Sequence, residues 1–449
     1  MSTNTGHDDV PSSMTLTGHQ RSVLAGAEGG AMRKVMHTLV RYGAVFGARR
    51  LVALDGPTHV VTSMGMAGLD AAFDLLDTLV AAGVRTVQPF TVDPRPYDLD
   101  NVDYTNTELH ELRALYPHQD RYENQLRALG LKDDDAYSCT AYLPETGNTP
   151  REGQILSWAE SSAVIYANSV LGARTNRNSG LIELMGAIAG YAPEFGLLLD
   201  SGRRATWNIE IRTTALPSPT LLGAVIGARI TDGVPYIRGL DGELTALGPE
   251  ARRDYLKDFG AAAAAAGAVG LFHIHGITPE ARRLGPALCV RDAQTVVVDD
   301  TAVDDHALAT SPRLDRVEHT DSDAPTVLIG CPHLSKEQLV TAARTILDAL
   351  AAVRRTTVST RTILSTAPTA ARAFRTDRPD MYDRCLSAGI SISAFCPALH
   401  MNCPSAAAKT VITNSQKLRT YTTSSFFRDG DVLDHIVHGT TTHATGSIS

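Results

Sequence analysis

The sequence predicts an α/β protein in which mostly parallel sheets are flanked by helices. Three observations carry this. Short runs rich in β-branched residues alternate with helical stripes of apolar residues, a rhythm that sheets covered by helices require. Strand-like runs end at glycine or cysteine and are followed by helix-start signals, which places functional groups at the carboxyl ends of strands. At 449 residues the chain exceeds what one core accommodates, so several lobes are expected.

The folded part begins near Met14, after a polar tail over 1–13. Thr17 followed by Gln20 fits a capping box, and Met32, Val35, Met36, Leu39 and Val40 fall on one helical face. Leu51 to Leu54 reads as a buried strand and Asp55 to His59 as a turn. Leu69, Phe73, Leu76 and Leu79 form the next helical stripe, which Gly83 can end in a left-handed conformation, and Val84 to Val87 reads as a strand. The alanines of 261–266 suit a packed helix. Thr326 to Ile329 reads as a strand ending at Gly330 and Cys331, with Ser335 and Gln338 capping the helix beyond. Ile390 to Phe395 delivers Cys396 to a comparable strand end. Pro/Gly-rich 216–248 and acidic 298–305 suggest lobe boundaries or surface excursions, which gives lobes of about 14–215, 216–325 and 326–438 before a polar tail over 439–449.

Composition excludes several functions. The formal net charge of −8 argues against a nucleic-acid backbone as main partner. The six cysteines form no disulfide framework and suit a reducing cytoplasm. No run approaches the roughly 18 apolar residues of a membrane span, and the amino terminus lacks a leader pattern.

The segment from Ser138 to Gly180 concentrates cysteine, acids, arginines, asparagines and hydroxyls around an apolar stretch, which suggests a buried cavity lined by polar groups. Arg174 and Arg177 can each present a planar fork to a carboxylate, or form salt bridges on a solvated helix. Glu160, Ser161 and Ser162 can orient substrate, with Glu160 a general acid or base if burial raises its pKa; helix capping is the plainer alternative. Lys417 with Ser415 can meet an anion or simply form a turn and an exposed lysine. His273 and His275 alternate like strand residues, and a satisfied polar pair is the plainer account. The intervals between Cys139, Cys331 and Cys396 make no local metal motif, and any one buried cysteine is ordinarily a small core residue.

Four ordered blocks change that balance. ESSAVIYANSVLGARTNRNSG from Glu160, LFHIHGITPEA from Leu271, GCPHLS from Gly330 and VITNSQK from Val411 resemble the large subunit of the aconitase X family, over about 14–438. The resemblance implies an aconitase-like multi-lobed architecture without a swivel domain, and a hydro-lyase removing water from a small hydroxylated carboxylate. It implies an iron–sulfur cluster on Cys139, Cys331 and Cys396, as [4Fe-4S], its [3Fe-4S] form or [2Fe-2S]; Cys403 is an alternative to Cys396. Glu160, Ser162 and Lys417 are the implied catalytic residues. His59, Asn168, Ser169, Arg174, Thr175, Asn176, Arg177, His333 and Ser415 are the implied substrate-binding residues. Asp93, Asn178, Ser179 and His275 depart from the family pattern.

Since no segment resembles the swivel, a separate small subunit is expected, supplying the serine that acts as base in the wider superfamily. The implied substrates are cis-3-hydroxy-L-proline, preferred because the departures add no positive charge for a phosphate, and phosphomevalonate. A non-catalytic iron–sulfur sensor or scaffold is the alternative of another class.

Overall fold

A computed structural model describes residues 14–61, 65–311 and 324–440, so the expected tail over 1–13, and all of that over 439–449 beyond residue 440, lie outside the described residues. The early capping box forms as expected. Thr17 Oγ1 accepts the Gln20 amide and Gln20 Oε1 accepts the Thr17 amide, starting the helix Gly18–Leu24. The helix Gly29–Val45 buries Val35, Met36, Leu39 and Val40, and the helix Asp70–Ala81 buries Phe73, Leu76 and Leu79 before Gly83 turns at φ +70°.

Strands β1 (Leu51–Ala53) and β4 (Tyr191–Pro193) pair antiparallel, while β2 (Thr58–Val60) and β3 (Phe90–Val92) pair parallel, with His59 opposite Thr91. Two expectations need correction here. His59 lies on a strand rather than in a turn. Val84 to Val87 is not a strand, because the Thr86 and Val87 amides are taken singly by the Leu129 and Ala187 carbonyls, which leaves no ladder to join.

The next lobe is a parallel four-stranded sheet, β5 (Ala205–Arg212), β6 (Pro235–Arg238), β7 (His273–Ile274) and β8 (Cys289–Asp299), in the order β7-β6-β5-β8. Helices Pro219–Ile230 and Pro249–Ala266 cover it. They pack so closely that a Cβ on Gly223 would collide with the Phe259 carbonyl oxygen.

The last lobe is a parallel five-stranded sheet in the order β11-β10-β9-β12-β13: β9 (Thr326–Leu334), β10 (Arg361–Thr366), β11 (Ile390–Ser393), β12 (Val411–Thr413) and β13 (Ser425–Phe426). Strand β9 is buried along its whole length. It does not stop at Gly330, as its apolar run suggests. Ile329 pairs with Leu364 and Leu334 with Thr366, so five steps along β9 match two along β10 and residues 330–333 bulge from the ladder. Gly330 makes this bulge feasible: φ is +111°, and any Cβ there would run into the Ser365 carbonyl oxygen. Ser335 and Gln338 then cap the helix Lys336–Ala352 as expected. No described helix is long and apolar enough to cross a membrane.

Candidate active site

Three loops bring cysteines to one buried region. Cys139 follows Ser138, whose amide extends the β3 edge by bonding to the Val92 carbonyl at 2.8 Å. Cys331 rides on the β9 bulge, where the Ser415 hydroxyl donates to its carbonyl oxygen. Cys396 follows β11, its amide held by the Arg95 carbonyl at 2.7 Å, and it opens the short helix Pro397–His400. The His333 amide donates to Cys139 Sγ at 3.3 Å, linking the first loop to the bulge.

Burial pushes the Cys331 and Cys396 thiols up to about 12 and Cys139 higher still. Each also feels another: Cys396 raises Cys139, Cys139 raises Cys331, and Cys331 raises Cys396. Cys403 is occupied elsewhere. Its Sγ lies 3.0 Å from Glu111 Oε2 and 3.4 Å from Ser405 Oγ.

Among the described residues no three His, Cys, Asp or Glu side chains converge as ligands of a single metal ion. A cluster is held differently, by thiolates on separate irons, and the donor set suits that larger group. His333 supplies a second sign. Its ring is fully buried, Nε2 lies 3.1 Å from the Phe395 carbonyl oxygen, and Nδ1 has no hydrogen-bond partner. Burial depresses its pKa to about 4, so Nε2 carries the proton and Nδ1 is an orphaned acceptor two residues from Cys331.

Beside the thiols stands a compact ionic group. Glu160 caps the helix Ser161–Ser169 through the Ala163 amide at 2.5 Å, and its other oxygen accepts from Lys417 Nζ at 2.6 Å. Lys417 also donates to Ser162 Oγ at 3.0 Å, and that hydroxyl donates to Glu160 Oε2 at 2.6 Å. Glu160, Ser162 and Lys417 are all buried. Burial alone would raise Glu160, as a general acid requires. The Lys417 charge, Ser162 and the Ala163 amide outweigh it and hold the carboxyl below its ordinary value. Burial would likewise lower Lys417, but Glu160, Cys331 and Cys139 keep the ammonium well above its ordinary value. The condition for an acid–base role, a raised Glu160, is not met; the plainer alternative of a helix cap is, with the carboxylate paired to an ammonium.

His59 joins the same region from β2. Its Nδ1 lies 2.9 Å from Thr91 Oγ1 and its Nε2 lies 3.2 Å from Asp93 Oδ1, with the ring edge-on to Trp158. Asn148 Nδ2 donates to Thr91 Oγ1 at 2.9 Å, so the protons order consistently as Asn148 to Thr91 to His59 to Asp93. Asp93 is raised, first by burial and further by Glu160, while His59 and Lys417 oppose the shift. Two carboxylates therefore stand beside Lys417, while Lys257 Nζ donates to the His333 carbonyl at 3.2 Å and pairs with Asp258 at 2.6 Å. Asp93 is visible in the sequence only as a departure from a pattern; its position just past β3, which pairs with the strand of His59, is the signal that identifies it.

The other expected substrate-binding residues have structural partners. Asn168 Nδ2 donates to the Thr175 and Gly270 carbonyls, and its Oδ1 accepts from the Thr175 amide and from Arg203 Nη1. Ser169 Oγ accepts the Phe272 amide, Thr175 Oγ1 binds at Trp158, and Asn176 bridges Phe195 and Leu197. Arg174 donates to the Leu198 carbonyl and pairs with Asp200, and Arg177 donates to the Ala264 carbonyl. All six thus hold protein partners, in a dense polar segment that ties two lobes together around the buried Arg203–Glu280 ion pair at 2.8 Å. Ser415 is a helix cap and a brace for Cys331. His273 and His275 are satisfied by the Arg203 carbonyl and the Tyr236 hydroxyl.

Comparison with known proteins identifies the family. The aconitase X first-domain family matches residues 13–201 and the aconitase X second-domain family matches 205–307. The chain is 32% identical over 324 residues to the phosphomevalonate dehydratase large subunit of Thermococcus kodakarensis, covering 72% of this chain and 74% of that one. The protein of the same name from Methanothermobacter thermautotrophicus is 34% identical over 315 residues, covering 70% and 72%. The cis-3-hydroxy-L-proline dehydratase of Hypocrea jecorina is 32% identical over 343 residues, 73% of this chain but 52% of that protein. Among solved structures, Thermococcus kodakaraensis aconitase X in its holo-form superposes with a TM-score of 0.75 at 27% identity, covering 95% of this chain and all of that one. With two buried thiols and a half-buried third gathered beside an ionic pair, and similarity of this extent, the chain belongs to the aconitase X family as a large subunit, a dehydratase of the hydro-lyase class.

Proposed function

We propose that this chain is the large subunit of a dehydratase acting on cis-3-hydroxy-L-proline or a related small hydroxy acid that carries an amine. The observation that carries the proposal is the set of charged groups: Glu160 is paired with the Lys417 ammonium and Asp93 stands beside them, the Lys257 ammonium at the His333 carbonyl is taken by Asp258, and neither Arg174 nor Arg177 turns into the region. A zwitterion with one carboxylate and one ammonium adds no net charge to that set. A phosphate would add two negative charges to it.

Family membership implies an iron–sulfur cofactor. We assign it to Cys139, Cys331 and Cys396, as a [4Fe-4S] cluster or its [3Fe-4S] form, with [2Fe-2S] as the smaller alternative. When bound, such a cluster supplies a Lewis acid that assists departure of a hydroxyl, the hard part of a dehydration. The chain's own residues do the rest. Lys417, locked by Glu160 and Ser162, presents a fixed positive charge to the substrate carboxylate. Asp93, oriented by His59, accepts a hydrogen bond from the amine. The buried His333 Nδ1 offers an acceptor close to Cys331.

The relatives' name, large subunit, implies a separate small subunit, which we propose supplies the proton-abstracting base. Phosphomevalonate is the second reading. It is favoured by length, since the chain covers about three quarters of the phosphomevalonate dehydratase large subunits but only about half of the hydroxyproline dehydratases. Anaerobically prepared protein with its small subunit, assayed on both substrates for unsaturated product, separates them. A higher kcat/KM on cis-3-hydroxy-L-proline supports the first reading, and turnover of phosphomevalonate alone refutes it. A stable cluster with no turnover of any hydroxy acid would leave the sensor alternative.

A further inference from the structure

The helices Pro249–Ala266, Lys336–Ala352 and Asp429–His438 enclose a groove of about 940 Å3 between the lobe of the four-stranded sheet and that of the five-stranded sheet. One end is Cys331 and Pro332 on the β9 bulge. Its walls are apolar, with Leu247, Tyr255, Ile346, Val432, Leu433 and Ile436 facing the space. The charged residues that line it are Glu250, Asp254, Asp258, Glu337 and Asp429, all acidic.

Some of that charge is balanced locally. Asp258 accepts from Lys257 at 2.6 Å and from Gln338 at 2.7 Å, and Glu337 has Lys336 at 3.6 Å. Asp254 is only partly satisfied, by the Ser335 side chain and the nearby Lys257 and Arg253 charges. It is 7% exposed, and its Oδ1 has no hydrogen-bond partner among the described residues. A carboxylate oxygen left bare in a buried position is costly, and a donor brought by another molecule removes the cost.

We infer that this groove is the docking surface of the small subunit, which lays an apolar strip along the walls and directs an arginine or lysine onto Asp254. The inference rests on the two-subunit reading above. The uniform sign of the lining charge complements a basic segment and disfavours an acidic one. The groove runs to Cys331, so a partner seated there is continuous with the site it has to complete. Burial also pushes Asp254 up to about 6, a cost that an approaching cation reverses.

The test uses the full-length chain and the separately purified small subunit, with affinity measured by interferometry independently of turnover. Asp254→Asn removes a buried charge that is only partly satisfied, so the variant alone should melt at or above the parent's temperature while its affinity for the small subunit falls more than about tenfold. Turnover should return at saturating small subunit. A photo-crosslinking phenylalanine derivative at Thr341, in the same groove, should couple to the small subunit. Parental affinity in Asp254→Asn, or no crosslink from Thr341 while an active complex forms, overturns the docking surface and leaves the two-subunit reading intact. No complex with the parent chain overturns both. A change in the native mass of the large subunit alone on Asp254→Asn assigns the groove to a second copy of this chain and likewise overturns the inference.

Discussion

Replacing Glu183 with glutamine is expected to stabilise the protein in a pH-dependent way. Glu183 lies in the helix Gly180–Ala189 and is 3% exposed. The Ser157 hydroxyl donates to its backbone carbonyl at 2.8 Å and to one carboxylate oxygen. Burial raises the pKa from 4.5 to about 8, against the opposing hydrogen bonds of Ser157 and Asn178. Because the folded value exceeds the unfolded one, the native contribution is complete below pH 4.5 and is lost as pH rises through about 8. At pH 7 the folded chain keeps a proton that the unfolded chain has released. At about 1.4 kcal/mol per pKa unit this costs about 3 kcal/mol, and under about 1 kcal/mol at pH 5. Glutamine keeps the shape and removes the titration. Urea unfolding of parent and Glu183→Gln at pH 5, 7 and 8.5 measures the difference, which should grow with pH. A constant difference across that range would refute the reasoning.

Three further outcomes follow from the same packing. Lys417→Met leaves the Glu160 carboxylate buried and unpaired, which should cost about 3–5 kcal/mol of stability, whereas Lys417→Met with Glu160→Gln should recover most of that loss in a double-mutant cycle. Both variants should lack activity, since the fixed cation is gone in each. Gly330→Ala places a Cβ against the Ser365 carbonyl oxygen at a positive φ and should cost at least about 2 kcal/mol, with a drop in bound iron because Cys331 rides on the same bulge. The corresponding Gly242→Ala, where a Cβ meets open space, should change neither stability nor iron content.

Local chemistry was legible wherever it depends on neighbours in sequence. Thr17 with Gln20 and Ser335 with Gln338 form the capping boxes that their spacing announces, and the buried faces of 29–45 and 70–81 follow their apolar periods. Parallel sheets follow from the alternation of strand and helix. The failures share a cause, which is dependence on distant partners. Val84 to Val87 has strand composition, but no neighbouring strand lies beside it. The β9 bulge is invisible because the register belongs to the pairing with β10, although Gly330 marks the place. Arg174, Arg177, Asn168 and Asn176 each hold a carbonyl of a residue far along the chain, and composition does not disclose those partners. Asp93 was noticed only as unusual, since its partnership with His59 comes from the pairing of two strands about thirty residues apart. The Glu160–Lys417 pair spans 257 residues, so neither partner can disclose how the other sets its charge.

Iron and sulfide analysis of anaerobically reconstituted protein, carried through single Cys→Ser variants, is the most direct measurement. Loss of cluster absorbance and of bound iron in the variants of Cys139, Cys331 and Cys396, with parental content retained when Cys289, Cys385 or Cys403 is replaced, is the expected result. Full cluster content in any of the first three variants, or its loss on replacing Cys403, would contradict the assignment of the three thiols to one cofactor.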